Sequence, residues 1–188
     1  MTLEEMRSDF IARRKGSLSL PIAGAILYSI AALLSLWVPP ERHNLVLTVC
    51  FWTILPIGVL IMRLRGEQSP NPENPFFKLS VVGRILALAT WSIHIPVWIF
   101  APDLFPLTIG IAFALHWANF SWMMDHPVGF IHLGMRISFV LLAWFLVPQD
   151  RMGAAATGVA LAYVISAMQL SQIDWPAHFA RRRVLAAC

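Results

Sequence analysis

The chain has 188 residues, of which 58% are hydrophobic and 13% charged, with a net charge of +4. A soluble domain carries about 25% charged residues, so a water-soluble globule is excluded, and disorder, collagen and a coiled coil are excluded with it. The length suits one domain, and apolar runs of about 20 residues make the chain a polytopic membrane protein.

Residues 1–17 come first. Leu3, Met6, Phe10 and Ile11 share one helical face, opposite Glu4, Glu5 and Arg13. This pattern predicts an amphipathic helix lying in the membrane interface. Six apolar spans follow, at residues 18–38, 45–64, 79–100, 104–124, 128–147 and 152–172. Helices satisfy their own backbone polar groups in lipid, and the alternation of a membrane barrel is absent. The expected fold is therefore all-α, a bundle of six transmembrane helices. The first span is too long for a signal peptide and is followed by no small-residue cleavage site.

The connections carry the punctuation. Val38-Pro39-Pro40 ends the first span, and the longest loop, residues 65–78, holds Ser69-Pro70-Asn71-Pro72-Glu73-Asn74-Pro75. Asp103 and Asp125 precede apolar runs and read as helix N-caps, with Pro106 and Pro127 nearby. Pro56 and Pro96 predict kinks within the second and third spans. The run Gly153-Ala154-Ala155-Ala156-Thr157-Gly158 reads as a close-packing surface on the sixth span. Residues 173–188 form a basic tail.

Lys and Arg fix an orientation. Arg7, Arg13, Arg14, Lys15, Arg63, Arg65, Lys78, Arg181, Arg182 and Arg183 fall on one side, and only Arg42 and Arg151 on the other. The positive-inside rule puts the basic side and both termini in the cytoplasm. The positive charge then meets anionic headgroups, so membrane lipids are the expected partners and nucleic acid is not. Cys50 and Cys188 predict no disulfide, metal motif or prenylation box.

Ionisable side chains inside spans are costly, which makes them functional candidates. They are Arg84, His94, His116, His132 and Arg136, joined by the amides Asn119 and Gln169. No Asp or Glu lies within a span, which argues against proton-coupled carriers and metal-cation pathways. From the basic side, at 1.5 Å per residue, Arg84, Asn119 and His132 lie roughly 6–7 Å deep, His116 and Arg136 about 12 Å, and His94 about 22 Å. Short turns make the third, fourth and fifth spans neighbours. The expectation is a cytoplasm-facing cavity between them, with Arg84, Trp91, His116, Trp117, Asn119, His132 and Arg136 as ligand-binding residues. Guanidinium groups suit a carboxylate or phosphate.

Each candidate has a plainer reading. Arg84 snorkels to headgroups, the histidines pack as neutral hydrogen-bonded residues, and tryptophans form an interfacial belt. Trp52, Trp91 and Trp117 lie deepest and fit a pocket better. The histidine depths suit no zinc site. No nucleophile elbow, glycine-rich phosphate loop or cofactor motif appears, so no cofactor is expected.

The six-span layout with His116-Trp117-x-Asn119-x-x-Trp122 resembles a small bacterial membrane-protein family of unknown function, over most of the chain. The resemblance implies the bacterial cytoplasmic (inner) membrane and carries over no chemistry. Three function classes stand. The first is a binder or transporter of a small anionic or amphiphilic molecule. The second is a structural or regulatory subunit, including a homo-oligomer. The third is an intramembrane enzyme on a lipid or isoprenoid-like substrate, with His116 or His132 as acid-base group and Arg136 as clamp.

Overall fold

A computed structural model of the chain describes residues 2–69 and 71–186, with backbone alone at 183–186. Pro70, the side chain of Arg183 and Cys188, with the reading that Cys188 joins no disulfide, lie outside the described residues.

Helix α1 (Leu3–Arg13) opens with a capping box. The Thr2 hydroxyl accepts from the Glu5 N–H at 3.3 Å, and the Glu5 carboxylate accepts from the Thr2 N–H at 2.7 Å. These bonds satisfy two donors that helix starts otherwise leave free. Phe10 and Ile11 are buried and Leu3 is exposed. The chain then turns sharply, with positive φ at Lys15, Gly16 and Ser17. At Gly16 an added Cβ would sit 2.9 Å from the Trp175 indole nitrogen, so the turn requires glycine on both conformational and steric grounds.

Six stretches are long and apolar enough to cross a membrane: Lys15–Leu34, Pro40–Leu64, Pro75–Phe100, Pro102–Met124, Val128–Leu146 and Pro148–Gln172. They contain α2 (Ser19–Leu34), α3 (His43–Leu64), α4 (Pro75–Ala89), α5 (Trp91–Phe100), α6 (Phe105–Ala112), α7 (His116–Met124), α8 (Val128–Leu146) and α9 (Arg151–Gln172). The fold is all-α, a membrane helix bundle with six spans. Leu33, Leu60, Ile85, Ile99, Phe100 and Phe145 are exposed around its girth. A surface that apolar needs lipid against it.

The centre of the bundle is α9, packed between α2 and α8, with α3 on the other side of α2. Small residues allow the close approach. Gly153, Ala155, Ala156, Gly158 and Ala162 are buried along α9, and the Tyr163 ring lies over Gly24 of α2, where a Cβ would come within 2.7 Å.

Two spans are broken rather than continuous. The third is interrupted at Thr90, whose hydroxyl donates to the Ala87 carbonyl at 2.6 Å. The fourth is interrupted at residues 113–115, where Ala114 N–H turns to the Ile111 carbonyl instead of continuing the α-helical ladder. By contrast α3 runs through Pro56 without a break.

The two aspartates expected as N-caps do other work. Asp103 sits in the single turn Pro102–Leu104, and α6 has no side-chain cap. Asp125 ends α7 in the left-handed region, at φ 50°, where a short polar side chain is tolerated. Its carboxylate reaches Arg182 at 2.7 Å and Arg7 at 3.5 Å. An aspartate does cap the sixth span: Asp150 accepts from the Gly153 N–H at 2.9 Å at the start of α9.

Residues after the sixth span form helix α10 (Trp175–Ala186), which packs on α1. Trp175 and Phe179 are buried beneath it. Both ends of the described chain therefore lie at one end of the bundle. Asn74 joins the long loop to the same end: it caps α4 through the Phe76 N–H at 3.0 Å and donates to the Met6 carbonyl at 2.8 Å.

Candidate functional site

A cavity of about 410 Å³ runs into the bundle from the end that carries the termini. Its walls come from α2, α3, α4, α7 and α9, together with the α1–α2 turn and the break before α7. The fifth span contributes no wall residue, so the cavity is not enclosed by the third to fifth spans. The broken fourth span decides this. Its interruption at residues 113–115 turns Phe113, His116 and Trp117 toward α2 and α3.

Aromatic side chains dominate the wall. Phe51 stacks on Phe113 with centroids 3.9 Å apart. Trp52 stacks on Trp91 at 5.6 Å, which supports Trp52 from behind. Leu20, Ile54, Leu55, Ala87, Leu88, Phe120 and Leu170 complete the apolar lining. The polar contributors are Tyr28, His116, Trp117 and Tyr163 in the spans, and Arg14, Ser17 and Arg84 at the mouth. Tyr28 Oη, His116 Nδ1, Trp117 Nε1 and Ser17 Oγ are buried and have no hydrogen-bond partner in the protein.

Of the candidates read from sequence, Arg84, His116 and Trp117 line this cavity. Trp91 stands behind the wall. Asn119 faces α4, with its amide nitrogen beside Gly83. His132 and Arg136 form a layer behind Trp117 and the two tyrosines. The His132 ring stacks on the Trp117 indole at 3.8 Å and 17°, and its Nδ1 shares a 2.8 Å hydrogen bond with Ser166. His94 is wholly buried elsewhere, 3.3 Å from the Thr108 hydroxyl.

Arg136 has no exposed surface. Its Nε donates to the Gly110 carbonyl at 2.7 Å and its Nη1 to the Tyr163 hydroxyl at 3.0 Å. Tyr28 and Tyr163 flank the guanidinium, with ring centroids 5.4 and 5.2 Å from Cζ. The Gly110 carbonyl is free to accept because the break in the fourth span diverts its usual helical donor. Two aromatic faces and two charge-assisted bonds stabilise a cation that has no acidic partner among its hydrogen bonds. The arginine therefore ties α6, α8 and α9 together and holds the tyrosines that face the cavity.

Four polar lining residues, Arg14, Ser17, Tyr28 and Tyr163, escaped the sequence reading. Tyr28 and Tyr163 are uncharged, so nothing in the sequence marks them as costly to bury. Arg14 read as one of a run of basic tail residues, yet it is buried. Its Nε lies 3.6 Å from Glu67, and its Nη2 donates to Met62 Sδ at 3.8 Å. The Glu67 side chain is itself fully covered, and accepts from Arg65 at 3.0 Å and from Ser19. Among the described residues no three His, Cys, Asp or Glu side chains converge in a way that could hold a metal ion.

No curated protein and no solved structure matches the chain. A family model does, over residues 3–172, from the amphipathic helix to the end of the sixth span. The chain belongs to the family of unknown function DUF7010.

Proposed function

We propose that this integral membrane protein binds a small amphiphilic molecule in the cavity between α2, α3, α4, α7 and α9. The observation that carries the reading is one aromatic-lined space whose wall includes Ser17, Tyr28, His116 and Trp117, residues that each carry a buried polar atom without a hydrogen bond in the structure. Buried polar groups normally find partners, and a volume of about 410 Å³ falls in the range of roughly 300–1,000 Å³ typical of small-molecule sites. The basic residues of α1, the α3–α4 loop and α10 gather at one end, so the cavity mouth faces the cytoplasm by the positive-inside rule. Arg136 acts on the ligand only through Tyr28 and Tyr163, whose positions it sets.

The test is native mass spectrometry of purified protein, wild type beside Ala87→Phe, which places a ring into the cavity from α4. A small amphiphile retained by the wild type and lost from a variant with unchanged melting temperature supports the reading. Identical bound species in both proteins would overturn it.

A further inference from the structure

We propose that Arg14, Ser17 and Arg84 form a headgroup subsite for a singly chained anionic amphiphile, a phosphate or carboxylate on one hydrocarbon tail, which enters from the lipid between α3 and α4. This rests on the cavity being a ligand site and names the class of its ligand.

The chemistry of the mouth differs from that of the walls. The cavity is apolar along Leu20, Phe51, Ile54, Leu88 and Phe120, whereas two arginines and a serine hydroxyl close its terminal end. Ser17 is 4% exposed and its hydroxyl has no partner. Arg14 is buried, with its Nε held by Glu67 only at the long distance of 3.6 Å and a soft sulfur acceptor at Nη2. Arg84 makes one long contact, 3.4 Å from Nη1 to the Ser80 hydroxyl. The acid nearby is Glu67, engaged by Arg65 and Ser19 and, at 3.6 Å, by Arg14. Arg14, Lys15, Arg65 and Arg84 against Glu67 leave a local excess of three positive charges. Burial holds the Arg14 guanidinium below its ordinary value, Glu67 opposes this, and the like charge of Arg84 adds to it. An anion between the two arginines would relieve that repulsion and accept from the Ser17 hydroxyl.

The route of entry follows from the packing. α3 lies on α2 and α4 lies on α1 and α7, and α3 and α4 have no extended packing against each other. Three residues that line the cavity, Trp52, Leu55 and Leu88, are also 53%, 52% and 44% exposed. The cavity is therefore open to the acyl region along this seam. A tail can slide in sideways while its headgroup stays at the depth of the arginines. The volume of about 410 Å³ suits one hydrocarbon chain.

The experiment uses full-length protein in neutral phosphatidylcholine nanodiscs. The probes are ω-bromoundecyl phosphate, the neutral ω-bromoundecanol and inorganic phosphate. Bromine quenches tryptophan on contact, so the buried Trp117 reports occupancy, and Trp117→Phe gives the background from Trp52 and the other tryptophans exposed to lipid. Arg84 is exposed, so Arg84→Gln should fold, and Arg84→Lys keeps the charge. The expected result is that Arg84→Gln weakens binding of the alkyl phosphate about tenfold or more, the span of one charge-assisted contact. Arg84→Lys should recover most of that loss, and the alcohol should bind all three proteins alike. Equal loss for phosphate and alcohol, or no loss for either, would overturn the headgroup subsite and leave the cavity reading intact. Displacement of the alkyl phosphate by inorganic phosphate alone would overturn the amphiphile in favour of a soluble anion. Absence of Trp117 quenching by both brominated probes would overturn both readings.

Discussion

Replacing Arg136 with lysine separates a residue that shapes the cavity wall from one that touches ligand. Both side chains are cations, so the cost of holding a charge in the bundle is common to the two proteins and drops out to first order. What differs is geometry. The guanidinium reaches the Gly110 carbonyl from Nε and the Tyr163 hydroxyl from Nη1. These acceptors lie on different helices, and an ammonium on one stem cannot serve both in the same way. One charge-assisted hydrogen bond is lost and one buried acceptor is left alone, which costs about 1.5–3 kcal/mol. For a chain of this length each kcal/mol shifts the melting temperature by about 2–4 °C, so Arg136→Lys should melt about 3–12 °C below wild type. Tryptophan fluorescence during heating in detergent reads this directly, because His132 and Tyr163 both contact Trp117. Ligand retention, measured below the transition, should persist. A variant that melts with the wild type yet retains no ligand would refute the reasoning and return Arg136 to the binding surface.

Glycine substitutions in α8 give a second check. At Gly129 a Cβ would run into the Trp117 carbonyl and lie 2.8 Å from the Ser121 nitrogen, so Gly129→Ala must part α7 from α8. Overpacking of this kind costs about 1–3 kcal/mol. Gly134, five residues on, has open space around it, so Gly134→Ala should melt at or above wild type. Equal melting temperatures for the two variants would contradict the packing described. A third check uses pH at the turn between α7 and α8. Burial, then the neighbouring His178, hold His126 below the ordinary imidazole value, and Asp125 opposes them. His126 Nδ1 also accepts from the Val128 N–H at 3.2 Å, which a proton there would block. The unfolded chain therefore takes up the proton first as pH falls through about 6.5, and folded stability should drop with acidification. The melting temperature of His126→Gln should fall less than that of wild type over the same range, and parallel curves would refute the assignment.

The hydrophobic pattern determined the six spans, because lipid imposes one backbone solution and one minimum length on every apolar segment. It also determined a helix at the start and the small-residue surface on α9, and of the tryptophans read as deep, Trp52 and Trp117 line the cavity whereas Trp91 stands behind it. Arg84 and His116 were legible as candidates for a related reason: a charge or imidazole among apolar neighbours is conspicuous in any one-dimensional reading. Spacing along one helix could not say which helices share a cavity. That was decided by the break at residues 113–115, which redirects Phe113, His116 and Trp117 and frees the Gly110 carbonyl for Arg136. The sequence marks that break with neither proline nor glycine. Arg14 shows the same limit from the other side. In the sequence it is one cation in a basic run, and only the turn at Lys15–Ser17, folded back against Glu67 and α10, makes it a buried wall of the cavity. Membrane insertion is governed by the local composition of each segment. The site is governed by contacts between segments far apart in the chain, and these exist only once the helices have packed.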